Sequence, residues 1–193
     1  MNESTYGRNP ITNKAPNRRQ PDARHACGFA LGARRRAACK EMGDRAEESF
    51  AACAAARGFL PTPPETEEQD WLEHWDRRIE RMGESYLVDV KSMKSPPPIA
   101  DTVWIELLNV HGRSGWLYGE ADLIAFETPS SFLLVERSKL AKLVASLIGS
   151  KGVLVEKPER ALHRLYKRDG RKDLITLVEF DLIKKIQFAE WPR

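Results

Sequence analysis

Short apolar runs in the second half of the sequence limit the folds that the chain can adopt. The longest, at residues 122–126 and 132–135, have the length of a β-strand. Alternating apolar and polar residues at 85–91 also predict a strand. Further strands are predicted at 102–109, 116–126, 132–136, 162–166 and 174–180. Because no run approaches the ~18 apolar residues of a membrane span, an integral membrane protein is excluded.

Helical periodicity flanks these strands. Apolar residues at helical spacing predict a helix over residues 43–57 that ends at Gly58. A second amphipathic helix is predicted at 138–148 with Ser138 as its N-cap, and a short helix at 181–186. A helix, a central run of strands, and then helix and strand again predict an α/β (α+β) fold, with a central mixed sheet flanked by helices.

The charge is unevenly distributed. Residues 1–40 contain nine Lys or Arg and two acidic residues, a net charge of +7, whereas the remaining 153 residues carry −4. We therefore expect a basic, partly disordered N-terminal arm over residues 1–40 and a folded domain over 41–193. The arm is expected to contact nucleic acid or a partner protein, or to be a solvated tail.

Three cysteines, Cys27, Cys39 and Cys53, have no CxxC spacing. This pattern argues against a disulfide framework, a zinc site and an iron–sulfur cluster. Since the start of the sequence is polar and basic, without the apolar segment of a secretory signal, a reducing cytoplasm is the expected location.

An acidic and a basic residue share one face of the most apolar strand. Asp89 and Lys91 lie two residues apart in the predicted strand at 85–91 and therefore point to the same side. Residues 73–76 are predicted to be the preceding strand or its end, and hairpin geometry would bring Asp76 beside Asp89. Two neighbouring carboxylates repel each other, and a divalent cation such as Mg²⁺, or Mn²⁺ as a substitute, would relieve the repulsion.

The order of these residues resembles the PD-(D/E)XK nuclease superfamily. Asp76 precedes an acid-x-Lys strand, Asp89-Val90-Lys91, and the upstream segment Gly43-Asp-Arg-Ala-Glu47 resembles the helix that donates a glutamate in that superfamily. The resemblance covers about residues 42–190, and the wider stretch also resembles phage- and prophage-associated members of the superfamily. The sequence departs from the usual pattern because Trp75 replaces the proline before Asp76 and because the second acid is Asp rather than Glu.

The resemblance implies an αβββαβ, restriction-endonuclease-like core and Mg²⁺-dependent hydrolysis of phosphodiester bonds in DNA. Asp76 and Asp89 would be metal ligands, joined by Glu47 directly or through water and by the Val90 carbonyl, and Lys91 would position the attacking water. The alternatives are a surface acid at Asp76, a simple Asp89–Lys91 ion pair, and solvated helix residues at Glu47 and its neighbour. Glu106 and His74 are open between structural and site roles.

Basic residues near the C-terminus predict a nucleic-acid contact. Residues 160–172 contain seven basic residues when His163 is counted, and basic side chains beside an aromatic residue and a turn are suited to phosphate. A solvated hairpin tip is the alternative. The candidates are Arg164, Lys167, Arg168, Arg171, Lys172 and, on the earlier proline-rich loop, Lys94.

The sequence therefore predicts a metal-dependent deoxyribonuclease. The alternative is a catalytically inactive nucleic-acid-binding module with the same fold. A homodimer would suit cleavage of two strands.

Overall fold

A computed structural model describes residues 23–66, 69–93 and 96–193. The helices are α1 (Ala23–Ala55), α2 (Arg137–Ile148) and α3 (Phe180–Lys184). The strands are β1 (Leu60–Thr62), β2 (Arg77–Arg81), β3 (Glu84–Lys91), β4 (Thr102–Leu108), β5 (Leu123–Glu127), β6 (Ser131–Glu136), β7 (Leu154–Val155), β8 (Leu165–Tyr166), β9 (Leu174–Glu179) and β10 (Gln187–Pro192). A π-helical turn at Gln69–Glu73 and 3₁₀ turns at Trp116–Tyr118 and Pro158–Arg160 complete the elements.

The internal contacts divide the chain into residues 1–36 and residues 37–193. In the first unit, the backbone of residues 23–36 is helical. The predicted disorder of the arm stays a prediction, and most of the arm lies outside the described residues. All strands of the described chain belong to the second unit.

The first sheet has six strands in the order β1-β2-β3-β5-β6-β10. Its neighbours are antiparallel except for β3 and β5, which are parallel. β2 and β3 are joined at Met82 and Gly83, whose φ angles are 51° and 86°. A two-residue turn with positive φ at both positions matches the twist of antiparallel strands, so this turn fixes the register of the hairpin.

A second sheet has four strands in the order β4-β9-β8-β7. The chain leaves the first sheet after β3, adds β4 to the second sheet and returns as β5, which explains why β3 and β5 can be parallel. The mixed α/β class predicted from the sequence is confirmed, and the strands form two sheets where the sequence predicted one central sheet. Alternation identifies a strand without identifying its partner, so the sequence gives no sign of a second sheet.

The two faces of the first sheet are covered by different elements. On one face, α1 residues such as Phe50 pack with Val88 and Leu134 in one buried cluster. On the other face, Ile124 packs in a second cluster with Leu140 of α2 and Val178 of the second sheet. The first sheet is therefore the central layer of the second unit.

Several predicted elements need correction. Residues 116–126 are not one strand, because a 3₁₀ turn occupies Trp116–Tyr118 and β5 begins at Leu123. Ser138 lies inside α2, which is preceded by Glu136 without a side-chain cap. Residues 73–76, predicted as the preceding strand or its end, are not in a strand: the π-helical turn ends at Glu73 and β2 begins only at Arg77. β10 was not predicted; its Trp191 is buried against α1.

None of the helices in the described part of the chain is long and apolar enough to cross a membrane.

Phe50 is expected to be the most sensitive position of the α1 interface. Its ring stacks on Trp191 at 5.5 Å between centroids and meets Phe132 edge-on at 5.4 Å. Phe50→Ala should lower the free energy of unfolding by about 3–5 kcal/mol, measured by urea titration, because it leaves a cavity. The control Phe188→Ala, at a ring that is 46% exposed, should cost less than about 1.5 kcal/mol. Equal losses would contradict the assignment of Phe50 to the core.

Candidate active site

The register of the β2–β3 hairpin places Asp76 opposite Asp89. Arg77 pairs with Val88, and the Asp76 backbone N–H donates to the Val88 carbonyl at 2.8 Å. One carboxylate oxygen of Asp76 accepts a hydrogen bond from the Val90 N–H at 2.6 Å. The two acids therefore meet where β2 begins, in the arrangement that hairpin geometry predicts.

Lys91 lies on the same face as Asp89. Its ammonium is 2.5 Å from Asp89 Oδ1, and the side chains are 29% and 3% exposed, respectively. The ammonium also lies over the ring of Trp116, 5.0 Å from the centroid. The apolar ring removes water from one side of the ammonium, which strengthens its attraction to the carboxylates.

Burial and the neighbouring charge of Asp89 shift the pKa values of Asp76 and Lys91. Desolvation, followed by the negative charge of Asp89, raises the pKa of Asp76 from 3.8 to about 7, against the opposing effect of Lys91. Burial favours the neutral amine of Lys91, but the charges of Asp89 and Asp76 outweigh that effect and raise its pKa. Lys91 is consequently a cation at neutral pH, and Asp76 is poised between its two protonation states.

Glu47 lies on the other face of the sheet. Its carboxylate is 3.0 Å from the Arg77 guanidinium, and the side chains of Glu47 and Arg77 are 25% and 14% exposed. Arg77 pairs with Val88 and so shares its face, toward α1, whereas Asp89 points to the opposite side. Arg77 also donates to the Asp76 carbonyl at 2.6 Å. The structure thus connects Glu47 to the backbone of Asp76 and does not bring it into the carboxylate pair.

Glu106 and His74 lie around the acid pair and Lys91. Burial raises the pKa of Glu106, and the positive charges of Lys91 and His74 oppose the rise. His74 has a φ of 57° and contacts the Ser114 carbonyl at 3.2 Å. His74 also lies against Gly119. A Cβ at position 119 would be 2.6 Å from the Cβ of His74, so this position needs a glycine. The sequence offered Glu106 as a neighbour of the site but gave no sign of the unusual backbone at His74.

The donor set fits a divalent cation bound by few protein ligands. Within the ranges that the structure describes, no group of three His, Cys, Asp or Glu side chains could hold a metal ion. Mg²⁺ often binds through one or two carboxylates and keeps several waters, so the Asp76–Asp89 pair is a sufficient protein contribution. Val90 contributes its N–H to Asp76 and its side chain to the core, and its carbonyl stays a predicted ligand.

The predicted phosphate contacts differ in exposure. Arg164, Lys167, Arg171 and Lys172 are exposed. Arg168 instead pairs with the fully buried Asp173. Lys94 lies outside the described residues.

Comparison of this chain with protein-family models, with curated proteins and with solved structures finds no match.

The raised pKa of Asp76 predicts a stability that falls as pH increases. Since the folded pKa is about 7 and the ordinary value is 3.8, this contribution is complete below pH ~4 and is lost as pH rises through 7. In EDTA at pH 8, Asp76→Asn should be more stable than wild type by about 2 kcal/mol, because it removes a partly buried charge and keeps an acceptor for Val90. Urea unfolding at pH 4 and pH 8 measures the difference. A difference that does not change with pH would contradict the prediction.

The Glu47–Arg77 pair should show measurable coupling. A double-mutant cycle with Glu47→Ala and Arg77→Ala should give about 1–2 kcal/mol in the free energy of unfolding, because this hydrogen-bonded charge pair is largely buried. The matched control is the exposed Glu136–Lys139 pair, with an Nζ–Oε1 distance of 2.8 Å, which should give less than about 0.5 kcal/mol. If the two cycles give the same value, Arg77 does not tie α1 to β2.

Proposed function

We propose that the chain is a metal-dependent nuclease that hydrolyses phosphodiester bonds in DNA, with a restriction-endonuclease-like core. The observation that carries the proposal is the meeting of Asp76, Asp89 and Lys91 in one half-buried cluster, with the ammonium 2.5 Å from Asp89. Like charges buried together are costly unless the site has a cation to bind.

The order of the elements supports the αβββαβ part of the proposal. α1 is followed by the β2–β3 hairpin and by β5, which is parallel to β3, and α2 and β10 come later in the chain. In this interpretation β6 is an added strand of the first sheet, and β4 belongs to a separate sheet inserted between β3 and β5.

Asp76 and Asp89 would hold the cation, Mg²⁺ or Mn²⁺ as a substitute. When bound, such a cation supplies positive charge for a phosphate oxygen and lowers the pKa of a coordinated water. The proposed role of Glu47 changes from ligand to support, because its carboxylate is engaged by Arg77 on the other face of the sheet.

Lys91 has two roles in this mechanism. Its raised pKa keeps it charged, so it orients a water through donation and does not act as a base. The same charge stabilises the negative charge that develops on the phosphate oxygens. Water attack forms a new P–O bond as the bond to the leaving oxygen breaks. The attacking water gives up one proton to the solvent, and the leaving oxygen takes up one proton from the solvent. Because Trp116 holds the ammonium in place, the charge is preorganised.

Partners and location follow from the same proposal. The partner is DNA, a homodimer would suit cleavage of two strands, and the basic arm at residues 1–40 would add nucleic-acid or protein contacts. A cytoplasmic location suits cysteines that lack a disulfide framework.

Cleavage of labelled linear, nicked and branched DNA with Mg²⁺, with Mn²⁺ and with EDTA tests the proposal. Asp89→Asn and Lys91→Met should each reduce the cleavage rate at least about 100-fold, because each removes a charge that acts at the phosphate. The control Lys139→Met removes a lysine from an exposed pair and should cleave as wild type does. Cleavage that is insensitive to EDTA and to both site variants would refute the proposal.

A second candidate is a nucleic-acid-binding module without catalysis. The observation that favours it is the arginine partner of Glu47, together with the lack of a three-ligand metal cluster in the described ranges. It predicts salt-sensitive DNA binding, no strand breaks and no effect of EDTA on affinity.

A further inference from the structure

Two turns at one end of the second sheet contact each other. The first comprises residues 109–114 after β4, and the second comprises residues 167–173 before β9. β4 and β9 are paired up to Leu108 and Leu174, and the Lys172 N–H donates to the Val110 carbonyl at 3.4 Å. The two turns, which we call the paired turns, therefore form one continuous surface.

Both turns are held in fixed conformations. The Asn109 side-chain oxygen accepts hydrogen bonds from the backbone N–H groups of His111 and Arg113 at 3.0 and 3.1 Å. In the second turn, Arg168 is held by the fully buried Asp173. The basic side chains of the paired turns thus project from an ordered backbone, and less entropy is lost when they bind a ligand.

Positive charge dominates this surface. Its exposed charged side chains are Arg113, Lys167, Asp169, Arg171 and Lys172, and Arg168 adds a partly exposed guanidinium that is 39% accessible. One acid among several closely spaced cations makes a surface that suits a polyanion.

The paired turns lie next to the candidate active site. His74, two residues before Asp76, contacts the carbonyl oxygen of Ser114 in the first turn at 3.2 Å. Glu106, two residues before the end of β4, lies near enough to Lys91 and Arg168 for their charges to act on its carboxyl group. Glu106 is also in close contact with Gly115, where a Cβ would lie 2.5 Å from the Glu106 carbonyl oxygen. The paired turns therefore lie beside the cluster of Asp76, Asp89 and Lys91, which we call the acid–lysine cluster.

We propose that the paired turns bind the phosphate backbone of a nucleic acid and seat it beside the acid–lysine cluster. Arg113 is the new element of this surface and acts together with Lys172, and the pair of Arg168 with the buried Asp173 anchors the second turn. The inference rests on the proposed function for its choice of partner. The paired turns would recognise several successive phosphodiester groups along a strand and not a single phosphate group.

Binding of a labelled DNA duplex, measured by fluorescence anisotropy in EDTA over a series of KCl concentrations, tests this surface. The double variant Arg113→Ala/Lys172→Ala should bind at least about tenfold more weakly, and the slope of log K against log salt should shrink by about two. The control Lys142→Ala/Lys185→Ala removes the same charge at two exposed positions and should bind as wild type does. Unchanged thermal unfolding of each variant shows that folding is intact.

Three results would overturn the inference. The first is equal binding by the two double variants, and the second is absence of duplex binding by wild type. The third is displacement of the labelled duplex by inorganic phosphate that is as effective as displacement by unlabelled duplex at the same concentration of phosphate groups. The proposed function fails separately: binding that depends on the paired turns, without metal-dependent cleavage by wild type, would leave the surface standing and remove the nuclease. Metal-dependent cleavage by wild type, together with unchanged duplex binding by the Arg113→Ala/Lys172→Ala variant, would leave the nuclease standing and remove the surface.

Discussion

The repulsion between Asp76 and Asp89 is the constraint on which the rest of the site depends. Two carboxyl groups meet at the start of a hairpin, and burial with mutual repulsion raises the pKa of Asp76 to about 7. The fold tolerates this because Lys91 contributes a cation at 2.5 Å from Asp89 and because the Val90 N–H stabilises the Asp76 carboxylate. The pKa of Asp76 stays raised despite Lys91, so the proposed binding of a further cation would stabilise the site.

The first sheet separates Asp89 and Lys91, which lie on one face, from α1, which packs on the other face. Asp89 and Lys91 point toward the second sheet and Trp116, whereas Val88 and Val90 alternate with them and pack against α1. α1 nevertheless influences the site, because Arg77 bridges Glu47 to the carbonyl of Asp76. Glu47 on α1 can thus affect the position of Asp76 through the backbone without contacting the carboxylates of Asp76 and Asp89.

The sequence was sufficient where local rules decide. The alternation in β3 identified both the strand and the face of Asp89 and Lys91, and the two-residue turn at Met82 and Gly83 sets the register that brings Asp76 opposite Asp89. It was insufficient where the partner lies far along the chain. The pairing of β10 with β6, which buries Trp191, joins segments about fifty residues apart, and no local period specifies such a pairing.

Glu47 illustrates the same limit within the site. A helical position fixes which side chains share a face of α1, but the face of the sheet that receives them is a tertiary choice. Arg77 is the residue that decides between the two interpretations: it directly follows Asp76 and begins β2, so its side chain points to the opposite face of the sheet. Arg77 favours a supporting role for Glu47, since a nearby guanidinium satisfies a carboxylate without a metal.

The second sheet gives the candidate site its relation to the basic surface. β4 and β9 belong to the hydrophobic cluster that also contains Ile124 and Phe126 of the first sheet, so the turns that follow β4 and precede β9 cannot move independently of the strands beneath Lys91. Because the side chains of a packed interior occupy well-defined rotamers at high density, elements that are joined by such packing keep fixed positions relative to each other. Cations carried on such turns therefore keep a defined distance from the acid pair. In the proposed nuclease, this is the condition under which binding energy along a phosphate backbone would orient one particular phosphodiester for attack.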